Sequence, residues 1–273
     1  MKKSKLHFVS VMVLAVLSFT TFSPLLWMVL SSFKGASEIW RTPPTIFPED
    51  FTISGYLHLF QKMPFGRYFF NSVLVSVSST MIAVLTSSLA GYVFSKIRFK
   101  GRDALFLIVL SSMMIPAQAT IVPNYILIQK LGLFDTYLAL ILPQGISVFG
   151  IFLVRQFMSS LPMDYLEAAR IDGVKEWRIF LQIVFPLSMP AVSALAIFSF
   201  RNSWDSLLWP LVMTISNTMR TLPVGIAGLT AVHSPLMELI LPASTITVVP
   251  ILLVFFIFQK KFVAGITMSG LKG

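Results

Sequence analysis

Residues 161–187 read LPMDYLEAARIDGVKEWRIFLQIVFPL. Asp164 followed three residues later by Glu167 is a helix-start signal: a capping side chain with a carboxylate one turn on. Ala168 and Ala169 add helix propensity and almost no side-chain bulk. Gly173 takes the left-handed conformation that ends a helix and turns the chain. A second helical stretch, Lys175–Val184, then runs to Pro186, which cannot donate to the helical ladder. The spacing thus predicts a short helix, a glycine turn and a second helix. Its surface carries charge and displays both alanines, with Glu167 and Arg170 offering directed polar contacts. Such a helix suits docking into a groove on another protein; equally, it suits a solvated loop whose charges keep it out of a bilayer.

On either side the chain turns apolar. Crossing about 30 Å of hydrocarbon takes about 20 helical residues, and six stretches qualify, about 8–30, 69–94, 104–123, 137–158, 187–208 and 239–258. The charged segment, residues 159–186, is the loop between the fourth and fifth. A seventh apolar stretch, Leu222–Val232, is too short to span and reads as an outer or re-entrant piece. The first run follows Lys2, Lys3 and Lys5 but outlasts the 7–15 apolar residues of a secretory signal, so it is expected to be retained. The fold class expected is an all-α integral membrane protein of six transmembrane helices in a single domain, residues 1–273.

Composition agrees. The chain has 273 residues, 56% of them hydrophobic and 12% charged, with mean hydropathy +0.82. Soluble domains sit nearer 45–50% and about 25%, so most of this surface must face lipid. The net charge of +10 does not signal nucleic acid, because the basic residues cluster at the ends of apolar runs. Assigning the side richer in Lys and Arg to the cytoplasm puts both termini inside. Lys96, Arg98, Lys100 and Arg102 mark the most lopsided loop.

Several chemistries have little to build on. There is no cysteine, hence no disulfide, thiolate metal site or cysteine nucleophile. The histidines, His7, His58 and His233, are far apart in sequence. No Gly-x-x-x-x-Gly-Lys-Ser/Thr loop occurs, so ATP is not bound by that route. No catalytic residue, metal site or cofactor is expected in this chain.

Within the apolar runs, Ala83, Ser87, Gly91 and Ser95 form a small-residue stripe that lets helix backbones approach closely. Pro116, Pro190 and Pro250 each free a backbone carbonyl that protein or cavity water must satisfy. Arg201 and Asp205 lie four residues apart on one helix face, beside Trp204. Charge within a span faces a protein interior or a water-filled cavity. Arg201, Trp204 and Asp205 are therefore read either as pathway or outer-gate residues, or as a structural ion pair beside an interfacial tryptophan belt; the second is favoured because Asp205 lies near the helix exit.

The ordered motifs resemble a family. Glu167-Ala168-Ala169, Gly173 and Ile183-x-x-Pro186 are similar to the EAA loop of ABC importer permeases. The chain more narrowly resembles the MalG-like carbohydrate permeases. The likeness runs through Ile115-Pro116, Leu131 to Tyr137, Trp204 with Leu208-Trp209-Pro210, Thr221-Leu222-Pro223, and Gln259 to Gly273. It implies a type I importer permease fold, half of a translocation pathway for a sugar or oligosaccharide in a bacterial inner membrane. It also implies a coupling helix built from Glu167, Ala168, Ala169, Arg170, Asp172 and Gly173, with Glu167 facing a basic partner. The implied partners are a second permease, two cytoplasmic ATPases that hold the ATP and Mg, and an external solute-binding protein; the tail 265–273 is expected to reach toward the ATPases. Trp204-Asp205 departs from the family's Trp-Asn, and Leu241-Pro242-Ala243 from its Met-Ala-Ala. The alternative is a stand-alone ion-coupled secondary carrier. Such carriers usually bury several mid-membrane carboxylates and show repeats, whereas these spans hold almost no acids beyond Asp205.

Overall fold

The computed structural model describes residues 2–230 and 236–270, which are helical or irregular, with no strand among them. The end of the 222–232 stretch, His233 and the last three residues of the tail lie outside the described residues. The helices used below are α1 (Lys2–Ser31), α2 (Ser54–Lys62), α3 (Phe65–Lys96), α4 (Arg102–Ser111), α5 (Ile121–Lys130), α6 (Tyr137–Ile141), α7 (Val148–Ser159), α8 (Asp164–Ile171), α9 (Glu176–Ile179), α10 (Met189–Trp204), α11 (Leu208–Met213), α12 (Leu222–Thr230) and α13 (Met237–Gly270).

Among the described residues, four stretches are long and apolar enough to cross a membrane: Val9–Ser31, Phe65–Lys96, Tyr137–Ser159 and Met237–Lys260. The third and fifth runs of the sequence reading are not straight helices. Arg102–Met114 and Ala117–Lys130 meet at 91°, and Glu176–Leu187 meets Met189–Trp204 at 78°. Pro116 explains the first break: it disfavours the helical region for the residue before it, and Ile115 is extended at φ −83°, ψ 117°. The second break falls at Ser188, after which Pro190 sits in the first turn of α10, where its missing N–H costs nothing. That helix ends at Trp204, short of the expected Leu208. The fourth run is interrupted too, with a 3₁₀ turn at Pro143–Gly145 between α6 and α7. Pro250, by contrast, stays inside α13.

The chain divides into two compact units, with boundaries after residues 66, 224 and 249. In the first unit, Lys34 donates to the Thr45 carbonyl, Thr45 donates to Glu38, and Arg41 pairs with Glu49 at 2.6 Å. These contacts tie down the connection to α2. The Thr45 hydroxyl, foremost, holds the Glu38 carboxyl below its ordinary pKa. α2 lies against the start of α13, so close that a Cβ on Gly55 would sit 2.6 Å from the Glu238 carbonyl oxygen.

The second unit is built on the packing of α3, α7 and α10. Ala83 and Ser87 are fully buried, and the Ser87 hydroxyl donates to the Ser147 carbonyl at 3.3 Å. A Cβ on Gly91 would lie 2.9 Å from Val154 Cγ1 and 3.0 Å from the Arg155 backbone nitrogen. The small-residue stripe is therefore a helix-packing seam. At one end of this unit, Asn71 bridges the carbonyls of Thr218 and Arg220 and accepts from the Tyr137 hydroxyl. Ser72 accepts from the Leu222 backbone at 2.7 Å. The Leu131–Tyr137 motif works locally as a turn. Gly132 and Asp135 adopt φ of 68° and 57°, Thr136 caps α6, and the Asp135 carboxylate accepts from Ile215 and Ser216. At the other end of this unit, Lys96 is buried and donates to the Leu161 carbonyl at 2.6 Å.

Candidate functional site

Residues 164–179 fold as the expected helix, turn and helix, with changes in detail. Met163, not Asp164, occupies the cap position of α8, and no side chain caps it. Asp164 and Glu167 instead lie in the first turn, where negative charge meets the positive end of the helix dipole. Gly173 ends the helix at φ 75°. Its N–H donates to Arg170 and that of Val174 to Ala169, both at 3.0 Å, the paired bonds of a Schellman turn.

The two alanines separate. Ala168 is exposed, whereas Ala169, 8% exposed, turns inward with Leu166. These two join Tyr92, Val154, Met158 and Ile179 in one apolar cluster. Successive helix residues lie about 100° apart, so Leu166 and Ala169, three apart, share the inner face while Glu167 and Ala168 turn away from it. α8 is thus seated on the long helices through Leu166 and Ala169. It presents Glu167, Ala168 and Asp172 outward, together with Ile171, which is 86% exposed.

Arg170 is engaged within the chain. Its Nε donates to Glu176 Oε1 at 2.6 Å, and the Tyr92 hydroxyl donates to Glu176 Oε2 at 2.5 Å. Glu176 therefore joins α8 to α3 across the glycine turn, and its hydrogen bond raises the Arg170 pKa above an already high value. Sequence reading missed Tyr92 and Glu176, since nothing in their spacing signals an encounter 84 residues apart. Replacing Glu176 with Gln keeps the shape but removes the charge. For groups this exposed the charge is worth about 1 kcal/mol. The expected outcome is a midpoint temperature lowered by about 2–4 °C in the purified protein, checked by size-exclusion chromatography after heating.

A second feature is a groove of about 910 Å³ walled by α10, the bend between α4 and α5, and the 143–149 turn. This lies near the top of the range of about 300–1,000 Å³ for small-molecule sites. Gln118, Asn124, Gln144 and Asn202 contribute amides to its wall. Phe149 and Phe198 meet edge to face with centroids 6.0 Å apart, and Trp209 is steadied by its Nε1–H on the Ala139 carbonyl at 3.0 Å. Arg201 and Asp205 both line the groove, 3.4 Å apart and 68% and 47% exposed. Trp204 does not line it: at 1% exposure it stacks on Phe200 and meets Phe69 edge-on. The break at Ile115–Pro116 turns the chain so that Ala117, Gln118 and Thr120 reach this wall. Among the described residues no cluster of His, Cys, Asp and Glu could hold a metal.

Known proteins match over most of this architecture. Residues 83–268 match the family of binding-protein-dependent transport system inner membrane components. The chain is 38% identical over 262 residues to the arabinooligosaccharides transport system permease protein AraQ of Halalkalibacterium halodurans, covering 95% of this chain and 94% of that one. It is 32% identical over 257 residues to the lactose transport system permease protein LacG of Rhizobium radiobacter, covering 94% and 93%. In fold it is similar to a chain of a bacterial ABC transporter involved in the import of the acidic polysaccharide alginate. The TM-score is 0.81 at 21% identity, over 96% of this chain and 98% of that one.

Proposed function

The chain belongs to the family of binding-protein-dependent transport system inner membrane components, and on that premise we propose that it forms half of the pathway for a sugar or oligosaccharide in an ABC importer. The observation that carries the reading is the seating of α8. Leu166 and Ala169 lock it into the apolar cluster of α3, α7 and α10, while Glu167, Ala168 and Ile171 remain in water. A push on such a helix moves the long helices with it, because packed interiors transmit strain rather than absorb it.

On this reading the outer face of α8 docks on a cytoplasmic ATPase, one of two that carry the ATP and Mg. Ala168 gives close approach, and Glu167 and Asp172 meet basic groups. Arg170 and Gly173 hold the helix in position from within. A second permease closes the groove, an external binding protein delivers the solute, and Arg201 and Asp205 belong to the pathway wall. Each bent pair counts as one crossing, giving six, with both termini in the cytoplasm of a bacterial cell.

Reconstitution tests this. Liposomes holding the permease pair and ATPases should take up sugar only with ATP and the binding protein present. Uptake by this chain alone, driven by an ion gradient, would overturn the proposal in favour of a secondary carrier.

A further inference from the structure

We infer that the groove is built for a neutral polyhydroxylated solute and that Asp205 makes it so, by neutralising Arg201. This rests on the pathway reading above and names the class of cargo.

Relatives of this fold carry differently charged cargo by their own names, arabino-oligosaccharides and lactose for two and acidic alginate for another. The fold therefore does not decide the charge of the solute; the wall must. Of the described residues lining the groove, only Arg201 and Asp205 are charged. They face each other at 3.4 Å, one turn apart on the same helix wall, so the wall contributed by this chain carries no net charge. The remaining polar groups are amides and hydroxyls, among them Gln118, Asn124, Ser199 and Asn202. Each offers donors and acceptors together, as a sugar hydroxyl does. A carboxylate only accepts and needs surplus donors or positive charge, which the pairing withholds. Phe149 and Phe198, 42% and 49% exposed, supply the apolar surface on which the C–H faces of sugar rings rest. A guanidinium without its carboxylate would invert this preference, since a single unbalanced charge in a cleft concentrates counter-ions.

The chain has no cysteine, so a thiol placed in the groove reports from one position. The test uses Ser206→Cys in the fully assembled transporter, reacted with anionic sulfonatoethyl and cationic trimethylammonioethyl methanethiosulfonate, with label read by mass on this chain. The expected ratio of the two rates is within about threefold of that of a free thiol. Adding Asp205→Asn should raise the relative anionic rate about tenfold, and adding Arg201→Gln should lower it by a like factor. Arabinotriose should protect the thiol and trigalacturonate should not, with the order reversed by Asp205→Asn. The inference is overturned by a tenfold anionic preference before any charge is removed. It is equally overturned if trigalacturonate protects as well as arabinotriose, or if neither sugar protects. A thiol that reacts with neither reagent is a different failure: the groove is then no water-filled path, and the pathway reading itself falls.

Discussion

Replacing Glu167 with Lys should abolish coupled uptake while leaving the protein in the membrane at normal levels. The substitution reverses charge on the exposed face of α8 and leaves Leu166 and Ala169, which seat the helix, untouched. Like charges brought together at a docking surface cost several kcal/mol. If Glu167 meets a basic group, the initial rate of uptake should fall on the order of a hundredfold or more. ATP hydrolysis should continue at the rate of the unstimulated ATPase. Helix stability changes little by comparison, since a lysine replacing a first-turn acid loses a dipole term of about 0.3–1 kcal/mol. Membrane content by immunoblot, uptake of labelled sugar and phosphate release are the three measurements. Uptake at the wild-type rate would remove Glu167 from the coupling contact.

The second large effect is structural. Gly91→Leu should strain the packing of α3 on α7, because the added Cβ would meet the Arg155 backbone nitrogen at 3.0 Å and Val154 Cγ1 at 2.9 Å. Backbone atoms of a neighbouring helix cannot rotate aside, and overpacking typically costs about 1–3 kcal/mol. The purified protein should lose on the order of 5 °C in midpoint temperature, read by size-exclusion chromatography after heating. Gly101→Leu is the control for side-chain volume. Nothing lies within 4 Å of its Cβ, although its φ of 82° will itself cost some stability. An unchanged midpoint for Gly91→Leu would mean that the seam is looser than its distances state.

These two positions also show what the sequence could and could not disclose. The stripe from Ala83 to Ser95 was readable as a packing face, because periodicity fixes which residues share one side of a helix. Which helix meets that face was not, since Gly91 and Val154 come together only through the fold. The helix–turn–helix of residues 164–179 was likewise readable from Glu167 and Gly173. The division of labour between Ala168 and Ala169 was not, because propensity treats them alike and only the position of the apolar cluster separates them. The pairing of Arg170 with Glu176 was hidden for a related reason. A charged side chain in a polar segment reads as outward until its partner is known, and Glu176 lies beyond a turn whose geometry sets their distance. Pro116 and Pro190 marked breaks that hydropathy averaged over; windows count apolar residues and are blind to a backbone bent by 91°. In the groove, Arg201 and Asp205 were singled out by cost, as charges in an apolar run. Trp204 was grouped with them by adjacency alone, though one residue along a helix is about 100° around it.

The outward face of α8 has one more consequence. Ile171 is almost fully exposed, and Tyr165 and Trp177, also on this hairpin, are 59% and 56% exposed. Apolar surface gathered in a charged segment marks a place that another protein covers. Until it is covered, it is a surface on which other apolar surfaces collect. An orphan copy therefore advertises that it is unassembled, through the same isoleucine that assembly would hide. On the docking proposed above, making this subunit in step with its partner would keep that surface covered, and α8 would report assembly as well as couple to it.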